Sequence, residues 1–200
     1  LYYKDGSILD RPVAGAQIAG LIMCQFKGIP LSQVFADERL TEEKVFIIGG
    51  QIAGALSHLN ANRVIHGDVD GDNVLICGEL KVVKLIDFGL TRRVSSDDGI
   101  KASITARLLS SSPEIHEKKP HDEKTDAWSF GILLYQMLHR GKVPFKNKTD
   151  ILEKELKVGS RVSLNLQQVL KGLLTKNPAY RMTIHEANKL LQQALKSVEK

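Results

Sequence analysis

The sequence predicts an α+β fold that is mainly helical, with small β hairpins and a strand pair near its start. Three observations lead there. Residues 41–59 and 126–139 repeat apolar side chains at helical spacing. Between them lie short β-branched runs, "RVIH", "NVLIC" and "KVVKLI", separated by the turn-rich "DVDGD" and "CGEL". At 200 residues and 42% hydrophobic, the chain is long enough to bury a real core.

Each element has its own reason. "AGLIMCQF", residues 19–26, reads as a buried strand that Gly28 and Pro30 break. In the segment 41–59, Thr41 suits an N-cap and Glu42 and Glu43 suit the first turn. Val45, Ile48, Ile52, Leu56 and Leu59 then recur on one face. Residues 91–112 are Ser-rich and aperiodic, as expected of a long functional loop. Residues 126–139 are almost wholly apolar, so this helix is expected to be buried all round. Beyond Pro144 the chain reads helical again, and Thr183 with Glu186 forms a capping box for a helix over 184–198.

Composition excludes some classes. The net charge of +5 comes from scattered residues, whereas a nucleic-acid footprint needs a clustered stripe. Cys24 and Cys77 sit in apolar runs, which suggests buried thiols in a reducing compartment. The longest apolar runs, "FIIGGQIAGAL" and "WSFGILLYQML", are too short to span a bilayer. No signal peptide is evident, and residue 1 is Leu. A cytoplasmic protein, or the intracellular part of a larger one, is expected, without membrane contact from this segment.

The stretch "HGDVDGDN", residues 66–73, packs three aspartates and an asparagine together. A calcium loop starting at Asp68 would use Asp68, Asp70 and Asp72, with Asn73 at the turn and Glu79 at position twelve. Against it, the turn position lacks Gly, and both "VLIC" and "LKVVKLI" favour strands over an exit helix. The other reading is phosphoryl transfer. That chemistry needs one carboxylate near the incoming hydroxyl and two oxygen ligands holding Mg²⁺ against phosphate. Asp68, Asn73 and Asp87 supply that set, the last in "KLIDFGL" after a strand.

Here the chain resembles the protein kinase family. "HGDVDGDN" is similar to the catalytic loop His-Arg-Asp-x-x-x-x-Asn, with Gly67 in place of Arg. Asp87-Phe88-Gly89 matches the DFG motif, and Ser112-Pro113-Glu114 stands where Ala-Pro-Glu is expected. "DAWSFGILLYQML" resembles the family's central helix, and "NPAYRMT" the late motif whose Arg pairs with that Glu. "LIMCQFKG" resembles the last small-lobe strand and the hinge. The resemblance covers nearly all 200 residues and implies a kinase-like C-terminal lobe over 28–200, preceded by a small-lobe and hinge remnant over 1–27.

It also implies roles. Asp68 would orient the substrate hydroxyl and take its proton; Asn73 and Asp87 would hold Mg²⁺. For ATP, Leu75 would lie under the adenine, Met23 would be the gatekeeper before the hinge, and Cys24 to Phe26 would offer backbone hydrogen bonds to the base. His66, Phe88 and Asp126 would form one internal spine, Gly89 would be a structural residue of the DFG motif, and Glu114 would pair with Arg181. The implied partner is a protein substrate or a partner kinase. Plainer readings exist: His66 as a core histidine, Asp126 as a helix N-terminal charge, Met23 and Leu75 as core filler, Asp70 and Asp72 as a solvated turn face.

The sequence also departs from the family. No G-x-G-x-x-G occurs, and the lysine that grips the phosphates, with its glutamate, would lie before residue 1. This 200-residue chain alone is therefore expected to be nearly inert. Serine/threonine kinases carry Lys two residues after the catalytic Asp, and tyrosine kinases Arg four after; here these are Asp70 and Asp72. "ARLLSSSPE" matches neither substrate-platform pattern. Two classes stay open: a protein kinase, or a pseudokinase that acts as a binding module.

Overall fold

A computed structural model describes residues 2–3, 18–20, 26–37, 40–78, 82–94 and 109–198. Strand β1 (Tyr2–Tyr3) pairs antiparallel with β2 (Ile18–Gly20). Strand β3 (Ile29–Pro30) leads into helix α1 (Leu31–Asp37), and α2 (Glu42–Ala61) follows. Next come β4 (Val64–Ile65), a 3₁₀ turn (Gly71–Asn73), β5 (Val74–Cys77), β6 (Val82–Leu85) and β7 (Arg92–Arg93). The remainder is helical: α3 (Pro113–His116), α4 (Lys124–Leu138), α5 (Lys148–Glu153), α6 (Leu164–Leu173) and α7 (Ile184–Val198).

Helix α2 starts where its cap predicts, with the Thr41 hydroxyl accepting the Lys44 N–H at 3.3 Å. Its apolar face packs along α7 and against α4. Val45, Ile48, Ile52 and Leu56 are buried there, each worth about 1.5–3 kcal/mol over exposure. Helix α4 runs through the core: Trp128, Phe130, Leu133, Leu134 and Met137 are all fully enclosed. The expected capping box opens α7, the Thr183 N–H donating to Glu186 at 2.8 Å and the Glu186 N–H to the Thr183 hydroxyl at 3.2 Å.

The strands do a different job. β3, β5 and β6 form an antiparallel sheet, with Ile29 opposite Ile76 and Val74 opposite Leu85. β4 and β7 pair through Val64–Arg93 and Ile65–Arg92. These two pairings hold both ends of the acid-rich loop and of the Asp87 turn. Of the strand expected over 19–26, residues 21–25 lie outside the described residues. Cys77 is half-buried, where the sequence suggested a buried thiol. No helix among the described residues is long and apolar enough to cross a membrane.

Candidate functional site

The site is built on the loop between β4 and β5. Asp126, in the first turn of α4, is fully buried and accepts two N–H bonds from this loop. His66 donates to its Oδ2 at 2.7 Å and Gly67 to its Oδ1 at 2.9 Å. Burial pushes the Asp126 carboxyl up to about 6, while these two bonds pull the other way. The Asp68 N–H donates to His66 Nδ1 at 3.3 Å, so Nδ1 is the acceptor. Nε2 therefore carries the proton, which it gives to the Ile86 carbonyl at 3.2 Å. Burial holds the His66 pKa below its ordinary value, and the ring stays neutral. Gly67 adopts φ +81°, and a Cβ there would lie 2.9 Å from the Leu90 carbonyl oxygen. The backbone turns so sharply at this point that only glycine fits without strain.

Asn73 is buried, and its amide nitrogen donates twice to Asp68: to the main-chain carbonyl at 2.9 Å and to carboxylate Oδ2 at 2.7 Å. The Asn73 carbonyl accepts the Ile86 N–H at 2.9 Å, which places Asp87 directly after the tied residue. Asp87 is exposed at φ +61°, a costly conformation for a residue with a side chain, and its Oδ1 accepts the Gly89 N–H at 3.0 Å. The Phe88 ring meets His66 edge-on, with centroids 5.0 Å apart. Its outer half is open, at 51% exposure.

This donor set fits Mg²⁺. With Asn73 Nδ2 and Asp87 Oδ1 committed, the atoms left are Asn73 Oδ1 and Asp87 Oδ2, both hard oxygens of the kind Mg²⁺ takes. Among the described residues no group of three or more His, Cys, Asp or Glu converges, and Glu79 of the calcium reading lies outside them. Asp70 and Asp72 are more than a solvated face. Asp70 accepts the Asp72 N–H at 3.1 Å and caps the 3₁₀ turn, and the exposed Asp72 accepts the Ser32 hydroxyl.

Two of the four expected adenine neighbours, Met23 and Cys24, lie outside the described residues. Phe26 and Leu75 meet around Gly28: a Cβ there would sit 2.8 Å from the Phe26 ring and 3.2 Å from Leu75 Cβ. The Phe26 carbonyl accepts the Gly28 N–H at 3.1 Å, and Lys84 Nζ stands 4.5 Å from the Phe26 ring centre. Glu114 and Arg181 form a buried bidentate pair, at 2.6 and 2.8 Å. Burial works to raise the Glu114 pKa, but the Arg181 bonds and charge outweigh it and hold the carboxyl below its ordinary value.

The protein kinase domain profile matches residues 17–193. The chain belongs to the protein kinase family. This kinase domain is similar to serine/threonine-protein kinase TIO of Arabidopsis thaliana, at 35% identity over 169 residues, 81% of this chain and 13% of that protein. It is 34% identical to mouse serine/threonine-protein kinase 36 over 76% of this chain and 12% of that protein. Against serine/threonine-protein kinase PAK mbt of Drosophila melanogaster it is 31% identical, over 87% of this chain and 29% of that protein. The chain thus spans less than a third of each of these relatives.

Sequence reasoning missed α1 and with it Ser32 and Phe35. Leu31, Val34 and Phe35 stand at helical spacing, a pattern short enough to be hidden behind Pro30.

Proposed function

We propose that the kinase domain carries a phosphoryl-transfer site moving a phosphoryl group from Mg²⁺–ATP to a serine or threonine hydroxyl of a protein. One observation carries this: the double grip of the Asn73 amide on Asp68. It fixes the Asp68 carboxylate through Oδ2 and leaves Oδ1 to orient the incoming hydroxyl and take its proton. The same grip leaves Asn73 Oδ1 uncommitted, and it would serve as a metal ligand together with Asp87. Mg²⁺, when bound, neutralises phosphate charge and aligns the transfer. Leu75 would lie under the adenine, Met23 would be the gatekeeper before the hinge, and Cys24 to Phe26 would offer backbone hydrogen bonds to the base.

The second reading is a pseudokinase that binds a partner kinase or scaffold. Asp70 favours it, because it puts an anion where serine/threonine kinases have a cation. The test is isothermal titration of the full-length protein with ATP, with and without Mg²⁺. Binding that needs Mg²⁺ and is lost in Asp87→Asn supports the transfer site. A wild-type protein that binds no Mg²⁺–ATP overturns it, and the binding-module reading then stands.

A further inference from the structure

A pocket of about 420 Å³ opens between the end of α4 and the loop entering α6. Its floor includes the buried Leu138 and Val162. One wall carries His139, Arg140 and Lys142, and the other carries Ser160 and Arg161. No Asp or Glu lines it. Arg140, Lys142 and Arg161 are exposed, and among the described residues none of the three pairs with a carboxylate. The nearby Glu42 is committed elsewhere, accepting the Ser163 N–H at 2.8 Å.

Both walls are fixed. The Gly141 N–H closes α4 on the Gln136 carbonyl at 2.9 Å, and the Lys142 N–H reaches the His139 carbonyl at 3.2 Å. The His139 ring stacks on Tyr135 at 3.9 Å. Opposite, the Val162 N–H closes a turn on Gly159 at 3.1 Å.

Cations at a helix C-terminus complement its negative end, and that accounts for Arg140 and Lys142. It does not account for Arg161. This residue precedes the N-terminus of α6, where a cation is unfavourable; α6 has no acid in its own first turn, and the Glu42 carboxylate that reaches its N-cap is taken up by the Ser163 N–H without an ion pair to Arg161. Three cationic residues line one cavity; their like charges repel, and a dianion relieves that repulsion. Two guanidinium forks match phosphate geometry better than ammonium groups would.

The pocket also neighbours the catalytic loop. A Cβ on Gly141 would lie 3.4 Å from the Phe35 ring, and a Cβ on Gly71 would lie 2.8 Å from the same ring. One aromatic side chain therefore separates the pocket wall from a residue three positions after Asp68.

We propose that this pocket docks the phosphate of a phosphorylated serine or threonine on a protein segment presented to the kinase domain. Calling that segment a substrate rests on the transfer reading above; the docking itself does not. The test is an NMR titration of the ¹⁵N-labelled chain with a neutral Gly/Ala peptide carrying one phosphoserine. Its unphosphorylated twin, inorganic phosphate and phosphatidylserine vesicles are the comparison arms. The phosphopeptide is expected to shift the amides of residues 140–142 and 159–162. It should bind about tenfold tighter than the twin, the least that a charge-assisted hydrogen bond gives. The double substitution Arg140→Ala with Arg161→Ala should remove those shifts and leave the rest of the spectrum unchanged. Equal binding of the twin, shifts elsewhere, survival of binding in the double variant, or inorganic phosphate or vesicles binding as tightly as the phosphopeptide would each overturn the proposal. Loss of Mg²⁺–ATP binding leaves the result intact, so the two readings fail separately.

Discussion

Two carboxylate centres in this kinase domain are built on opposite plans. Around Arg181, every donor is used. Nε goes to the Thr175 carbonyl, and the two terminal nitrogens go to Glu114 and to the Lys124 and Lys176 carbonyls, all within 3.0 Å. Nothing is left for a ligand. Around Asp68, Asn73 and Asp87, each side chain is half-committed. One carboxylate oxygen or amide nitrogen holds the loop, and one oxygen remains. A closed polar centre stabilises a fold; a half-closed one can bind something.

The largest expected effect breaks the open centre without touching the fold. Asp68→Asn keeps an acceptor for Asn73 but removes the base of the proposed transfer. Turnover by the full-length protein should fall about 10²–10⁴-fold, the usual contribution of general-base catalysis. Unfolding free energy in urea should move by less than about 0.5 kcal/mol. A large loss of stability would show that the two centres are not built differently after all.

The closed centre should answer in reverse. Arg181→Leu strands the buried Glu114 charge and three backbone carbonyls, and should cost about 3–5 kcal/mol of stability, read from the urea midpoint. Residual soluble protein should still bind Mg²⁺–nucleotide when it is folded.

Between these lies Asp126, closed like Glu114 but without a cation. The two differ in the sign of their pH response. Glu114 has its folded pKa depressed, so its contribution is present at neutral pH and is lost as acid protonates it below about 4.5. Asp126 has its folded pKa raised to about 6, so the folded state holds the proton more tightly than the unfolded chain does. Its contribution is full below about pH 4 and is lost as pH rises through 6. Relative to Asp126→Asn, wild type should lose up to roughly 3 kcal/mol between those limits. A flat difference in unfolding free energy across pH 4–7 would show that the two N–H bonds fully offset burial.

Much of this was legible from the sequence, for a physical reason. Helices α2, α4 and α7 declare themselves through apolar period and caps, which are local properties. Their observed ends lie within about two residues of expectation, the ordinary latitude of helix boundaries. The kinase motifs are legible because they are short and ordered along the chain. What could not be read was long-range detail: that Ser32 reaches Asp72 forty residues on, or that Asp126, expected in one spine with His66 and Phe88, holds the loop through the backbone N–H groups of His66 and Gly67. Nor could the pocket proposed for a phosphate be read, since Arg140 and Arg161 come to line it only when α4 and the entry to α6 fold together.

The smallest expected effect sharpens the comparison inside the open centre. In the proposed transfer, Asp70 stands where serine/threonine kinases have a cation to offset charge on the transferring group, and a carboxylate there would oppose the reaction. Removing it should raise turnover. Yet Asp70 also caps the turn that carries Asn73, through the Asp72 N–H at 3.1 Å. Asp70→Lys therefore combines an electrostatic gain with a lost cap, worth about 1 kcal/mol of stability. Asp70→Asn separates the two, since asparagine caps as well as aspartate and carries no charge. Turnover is expected to rise about two- to threefold in the Asn variant, with stability unchanged, because a half-buried charge is partly screened. The Lys variant should rise further, by less than about tenfold, while melting earlier. Steady-state assays on both variants beside wild type decide the matter. If the Asn variant is no faster, solvent already neutralises Asp70, and its place in the loop is that of a cap.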